Sequence, residues 1–216
     1  MLSMLDTLND ADFERFRKTI YDESGITFSA TNRPILDSLI KEILREKKLD
    51  VDSFVEEAVQ VRNLCHKYNV PLIINDNVDV AIKSGADGVH VGIEDASVAE
   101  IRKRVSADFI IGATCKTVEQ AKIAEAAGAD YMGVGAVFPS PTKTNAVRIT
   151  NAQLREIVSS VSIPAVAIGG ISYDNVCEMK GSSVSGVAVV SAIFGAEDIE
   201  KATALLKERV KAVVEE

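Results

Sequence analysis

The chain has 216 residues, 47% hydrophobic and 26% charged, a globular balance that suits one domain, or one domain with a small appendage. Its net charge of −8 is spread along the sequence, which argues against a nucleic-acid or anionic-membrane surface while leaving room for a local phosphate pocket. Cys65, Cys115 and Cys177 lack metal-ligand spacing and read as reduced thiols; with no apolar run of spanning length and no basic-then-apolar start, a cytoplasmic location is expected.

Residues 1–48 read as a helical segment packed on the remainder of the chain. Asn9 or Asp10 can cap a helix that places Phe13, Phe16 and Ile20 on one face. Ser24-Gly25 stops it, and Asn32 with Pro34 restarts a helix that runs to about Lys48. Ile35, Leu36, Leu39, Ile40, Ile43 and Leu44 then form a stripe at helical spacing. The pattern predicts helix over Ile35–Lys47 and no strand across Ile40–Arg45. Lys41-Glu42 would otherwise put adjacent charges on both faces of a buried strand, which is costly.

Beyond residue 48 the pattern changes. Short β-branched runs alternate with helical stretches near 52–69, 77–84, 96–105, 117–127, 151–160, 173–180 and 197–214. The strand candidates are Pro71–Asn75, Asp87–Val91, Phe109–Ala113, Asp130–Gly135, Pro164–Ile168 and Gly186–Val190. They are apolar on both faces, as strands of a covered parallel sheet should be. Gly-Ala-Asp precedes a strand at Gly85–Asp87 and again at Gly128–Asp130, a helix-ending glycine followed by entry into the sheet. Strictly alternating elements imply parallel α/β topology, with a (βα)8 TIM-barrel-like fold over residues 49–216 as the expectation. A doubly wound sheet is the rival that pattern alone leaves open.

In a parallel barrel the chemistry belongs at the C-terminal ends of the strands. The first candidate strand runs into Asn75-Asp76 and the second into Glu94-Asp95. Two such carboxylates can share a hard cation such as Mg²⁺ together with phosphate oxygens, or simply cap the helices after them. After the fourth strand, Phe138–Lys143 offers hydroxyls and a lysine to an anion. The fifth ends in Ile168-Gly-Gly-Ile171 and the sixth in Val190-Ser-Ala192, where glycine amides can approach a phosphate. His90 lies within a strand and reads as a packed, hydrogen-bonded core residue. Cys115 has no histidine placed to activate it. What remains is a site for phosphorylated small molecules that works by positioning and electrostatics.

These stretches resemble the thiamine-phosphate synthase family. The resemblance is carried by Arg45-Glu-Lys47, Pro71–Asp76, Gly85–Gly92 with Glu94-Asp95, Ile111-Gly112, Gly128–Tyr131, Gly133-Val-Gly135, Thr142-Lys143, Ala167–Ile171 and Val189–Ile193. It implies a Mg²⁺-dependent transferase that joins hydroxymethylpyrimidine diphosphate to hydroxyethylthiazole phosphate and releases diphosphate. Asp76 and Asp95 would hold the metal; Arg45, Lys47 and Lys143 would act catalytically on the diphosphate oxygens, which Asn75 also binds. Thr114 stands where the family has a serine, and Ser140 and Thr142 where it has threonines; Gly170, Val190 and Ser191 would hold the thiazole phosphate.

The family's first strand has no counterpart here, and Ile43, Ile93, Lys116 and Thr150 replace a glutamine, a second glutamine, a histidine and a glycine. Residues 12–47 are similar instead to the N-terminal helical segment of chemotaxis receptor methyltransferases. Together these imply a chimera in which two helices replace the first βαβ unit. The alternatives to an active synthase are a catalytically impaired barrel, natural or engineered, that keeps only the phosphate site, and a signalling module.

Overall fold

The computed structural model describes residues 42–44, 50–67, 69–92, 97–139 and 148–214. Seven parallel strands form one sheet in the order β1 to β7: Glu42–Leu44, Leu72–Asn75, Gly88–Val91, Ile110–Cys115, Tyr131–Gly135, Ala165–Ile168 and Gly186–Ala188. Each strand pairs with the next in sequence, and no strand order reverses. A doubly wound sheet needs such a reversal, so the fold is the curled sheet of a (βα) barrel. The expected strands from Pro71 to Val190 are all present.

Helices cover the outside: α1 Val51–Lys67, α2 Val78–Ser84, α3 Val98–Arg102, α4 Val118–Ala126, α5 Asn151–Ser159, α6 Ser191–Phe194 and α7 Ile199–Val214. The helix expected near 173–180 is a short 3₁₀ turn, Val176–Met179, and α6 was not foreseen. Among the described residues no helix is long and apolar enough to cross a membrane.

One expectation is overturned. Glu42–Leu44 is a strand, with Glu42, Ile43 and Leu44 opposite Leu72, Ile73 and Ile74 of β2. A helical apolar stripe and a strand compete over so short a run, and the unpaired edge of β2 decides the outcome by offering a full ladder of hydrogen bonds. Among the described residues the sheet therefore begins at Glu42. The helices expected before it, and the replacement of the first βαβ unit, lie outside the described residues.

The two Gly-Ala-Asp repeats do more than end helices. Gly85 and Gly128 have φ of 67° and 94°, as helix-ending glycines require. The aspartate of each repeat then reaches back to the preceding strand. Asp87 Oδ2 accepts the Leu72 amide at 2.8 Å, and Asp130 Oδ2 accepts the Ile111 amide at 2.7 Å. Each carboxylate thus ties the start of its own strand to the start of the strand before it.

Alternation along each strand sorts the side chains. Leu72, Ile74, Val89, Val91, Ile111 and Met132 turn outward into one apolar cluster beneath the helices. The intervening positions face the lumen, and toward the C-terminal rim these become polar: Asn75, His90 and Thr114.

Candidate active site

The C-terminal rim gathers most of the expected site residues that the structure describes. Asn75 closes β2 and is 8% exposed. Its amide nitrogen is buried and has no hydrogen-bond partner. Native proteins seldom bury a donor in this way, so the group is suited to an anion from outside. Asp76 comes next at φ 63°, a left-handed conformation that carries it off the strand, and its own amide donates to the His90 carbonyl at 2.8 Å.

Asp76 does not cap the next helix. That role belongs to Asn77, whose side chain accepts from the Val80 amide at 3.0 Å. Similarly, the N-cap of α3 is Ser97. Asp95 lies outside the described residues, as do Arg45, Lys47, Ser140, Thr142 and Lys143.

Thr114 sits one residue before the end of β4, half-buried, with its hydroxyl 2.9 Å from His90 Nε2. His90 is thus the hydrogen-bonded core residue expected, but one of its partners belongs to the site. Its backbone pairs with Asn75 on one side and Gly112 on the other, so it stands between the two substrate-binding candidates of β2 and β4. Cys115, the last residue of β4, faces outward into the apolar cluster, and burial pushes its thiol up to about 11. Such a thiol stays protonated and is no nucleophile.

After β6 the chain turns through Gly169 and Gly170 at φ of 99° and 66°. A side chain at Gly170 would be strained and would also place its Cβ 2.2 Å from the Pro139 carbonyl oxygen. The turn is held by a residue that sequence reasoning missed. Asn175 donates from Nδ2 to the Gly170 carbonyl at 2.9 Å and accepts the Ser172 amide on Oδ1 at 2.8 Å. The signal available in the sequence was an asparagine shortly after a Gly-Gly turn, where its side chain can hydrogen-bond local backbone. Val190 and Ser191 come after β7, with the Val190 carbonyl accepting the Ile193 and Phe194 amides of α6.

Among the described residues no three His, Cys, Asp or Glu side chains gather as a metal cage. Mg²⁺ does not ask for one, since one or two carboxylates with phosphate oxygens suffice. Asp76, beside the buried donor of Asn75, fits that modest requirement.

The comparisons with known proteins bear on the fold and the family. Residues 35–193 match the family model for thiamine monophosphate synthase. The thiamine-phosphate synthase of Ruminiclostridium cellulolyticum is 46% identical over 165 residues, 76% of this chain and 79% of that protein. That of Lacticaseibacillus paracasei is 40% identical over 195 residues, 90% of this chain and 92% of its own length, an alignment that takes in part of residues 12–47. Among solved structures, a thiamine phosphate pyrophosphorylase from Pyrococcus furiosus superposes with a TM-score of 0.72 at 41% identity, covering 80% of this chain and 83% of that one. Fold and sequence coincide over most of the length, and the chain belongs to the thiamine monophosphate synthase family.

Proposed function

We propose that this chain is a thiamine-phosphate synthase, joining hydroxymethylpyrimidine diphosphate to hydroxyethylthiazole phosphate with release of diphosphate. The observation that carries the reading is the unpartnered buried amide of Asn75 beside Asp76, on the same rim as the Gly169-Gly170 turn. A donor without a partner suits an anionic oxygen, and a carboxylate next to it suits a cation on that anion. Two anion-handling positions on one rim match two phosphorylated substrates.

In this reaction the bond between the pyrimidine methylene carbon and the diphosphate oxygen breaks, and its electron pair leaves with the diphosphate. The thiazole nitrogen then donates its lone pair to the pyrimidine-methyl cation. Neither step requires a proton to move, so positioning and electrostatic stabilisation can supply most of the catalysis. When bound, Mg²⁺ would neutralise charge on the departing diphosphate.

Asp76 and Asp95 are the proposed metal-holding residues, and Arg45, Lys47, Asn75 and Lys143 the proposed contacts to diphosphate oxygens. Thr114, Ser140 and Thr142 would supply hydroxyls, while Gly170, Val190 and Ser191 would hold the thiazole phosphate. The enzyme would work in the cytoplasm on small phosphorylated substrates.

The impaired-barrel alternative rested on a missing part of the substrate wall. With β1 paired to β2, one of the two strands counted as missing is in the sheet, and the residues just before Arg45 stand beside β2, which weakens that ground. The chimeric origin of residues 12–47 and their likeness to chemotaxis methyltransferases are proposals about a stretch of which only residues 42–44 are described.

Calorimetry tests the metal and anion assignments. Diphosphate should bind in the presence of Mg²⁺, and Asp76→Asn should weaken the Mg²⁺-dependent part. Folded protein that binds no diphosphate at millimolar concentration with Mg²⁺ would refute the site.

A further inference from the structure

The lumen of the sheet holds a hydrogen-bonded line that the rim site does not explain. The Tyr131 hydroxyl lies 3.0 Å from His90 Nδ1, and His90 Nε2 lies 2.9 Å from Thr114 Oγ1. Tyr131 and His90 are 4% and 6% exposed, so the line starts in the closed interior and reaches the rim at Thr114. Space has been made for it. A Cβ on Gly112 would sit 2.2 Å from the Tyr131 ring, and one on Gly133 would sit 3.1 Å from His90 Cε1. β4 and β5 each lack a side chain where a ring of the line must pass.

A neutral imidazole carries one N–H, which leaves two ways to run the line. A phenol is a better hydrogen-bond donor than acceptor, and an unprotonated imidazole nitrogen is the better acceptor of the two. Tyr131 therefore donates to Nδ1, the ring proton sits on Nε2, and Nε2–H donates to Thr114 Oγ1. A hydroxyl that accepts from one side turns its own proton to the other, here toward the rim.

We propose that Tyr131 and His90 are positioning residues that hold the Thr114 hydroxyl as a fixed hydrogen-bond donor toward the pyrimidine diphosphate. The inference rests on the synthase reading for the identity of that ligand. It adds a reason for the two lumen glycines and for a tyrosine and histidine buried in a lumen that apolar side chains could have filled.

The chain contains two histidines, His66 and His90, so nitrogen-15 NMR of the imidazoles is simple to assign with a His66→Asn control. The wild-type protein should show His90 neutral, with its proton on Nε2. In Tyr131→Phe that single tautomer should give way to a mixture. Calorimetric affinity for hydroxymethylpyrimidine diphosphate should fall about tenfold, equivalent to about 1.4 kcal/mol, while affinity for the thiazole phosphate stays unchanged.

His90 protonated on Nδ1, or doubly protonated, in the wild type would overturn the proposal even if the variant fails to fold. So would a folded Tyr131→Phe that binds the pyrimidine diphosphate as well as wild type, or loses both substrates alike. Wild type that binds both substrates and forms no product would refute the synthase reading and leave this one standing.

Discussion

Asn75 illustrates how a residue can be wrong for stability and right for function. A buried amide nitrogen without a partner costs about 1–3 kcal/mol, and an apolar side chain of similar shape does not carry that penalty. Asn75→Leu should therefore unfold at the wild-type midpoint or above while losing most of its affinity for Mg²⁺-diphosphate. Thermal denaturation and calorimetry on the same sample check both halves. Cys115 gives a pH-dependent counterpart. Its folded thiol is raised to about 11 by burial, from an ordinary 9.0. As pH rises past 9 the unfolded thiol ionises and the folded one does not. Its contribution to stability is thus complete below pH 9 and is lost between about pH 9 and 11, by up to about 3 kcal/mol. Denaturant titrations across that range should show a flatter decline in Cys115→Ala. At this scale Asn75 and Asp76 were legible as strand-end residues, because a barrel places its chemistry there. The orphaned amide, the Asn77 cap and the Asn175 clamp were not, since each depends on burial or on a hydrogen bond between residues whose geometry the sequence leaves open.

At the scale of elements, the strands from β2 to β7 were readable because buried parallel strands are short, β-branched and punctuated by glycine and proline. β1 was misread as helix. Its apolar residues fit a helical stripe, and only the neighbouring edge of β2, distant in sequence, selects the strand. Leu44→Pro would remove an amide that faces β2 in that pairing, and amide exchange at Ile73 should quicken as a result. Thr150 shows a family departure with a local cause. It forms a capping box with Gln153 at the start of α5, which the glycine common at that position cannot do. The Gly-Ala-Asp repeats were seen as helix ends, but their ties between strand starts were not. Asp130→Ala should leave the Ile111 amide unpartnered and lose the ion pair with Arg102. Destabilisation of about 1–3 kcal/mol is expected by denaturant unfolding.

For the whole molecule, the sequential strand order and the rim define a single site fed by several strands, the arrangement on which barrel enzymes build their chemistry. The rim residues that the structure describes place a buried donor, a carboxylate and a glycine turn at the C-terminal ends of strands of one sheet. The remaining assignments, Arg45, Lys47, Asp95, Ser140, Thr142 and Lys143, belong to segments that border it in sequence. What joins them into one account is the reaction. Wild-type protein, given both substrates with Mg²⁺, should form thiamine phosphate and free diphosphate in equal amounts, and form neither when the metal is chelated. Folded protein that binds the pyrimidine diphosphate yet forms no thiamine phosphate would contradict it.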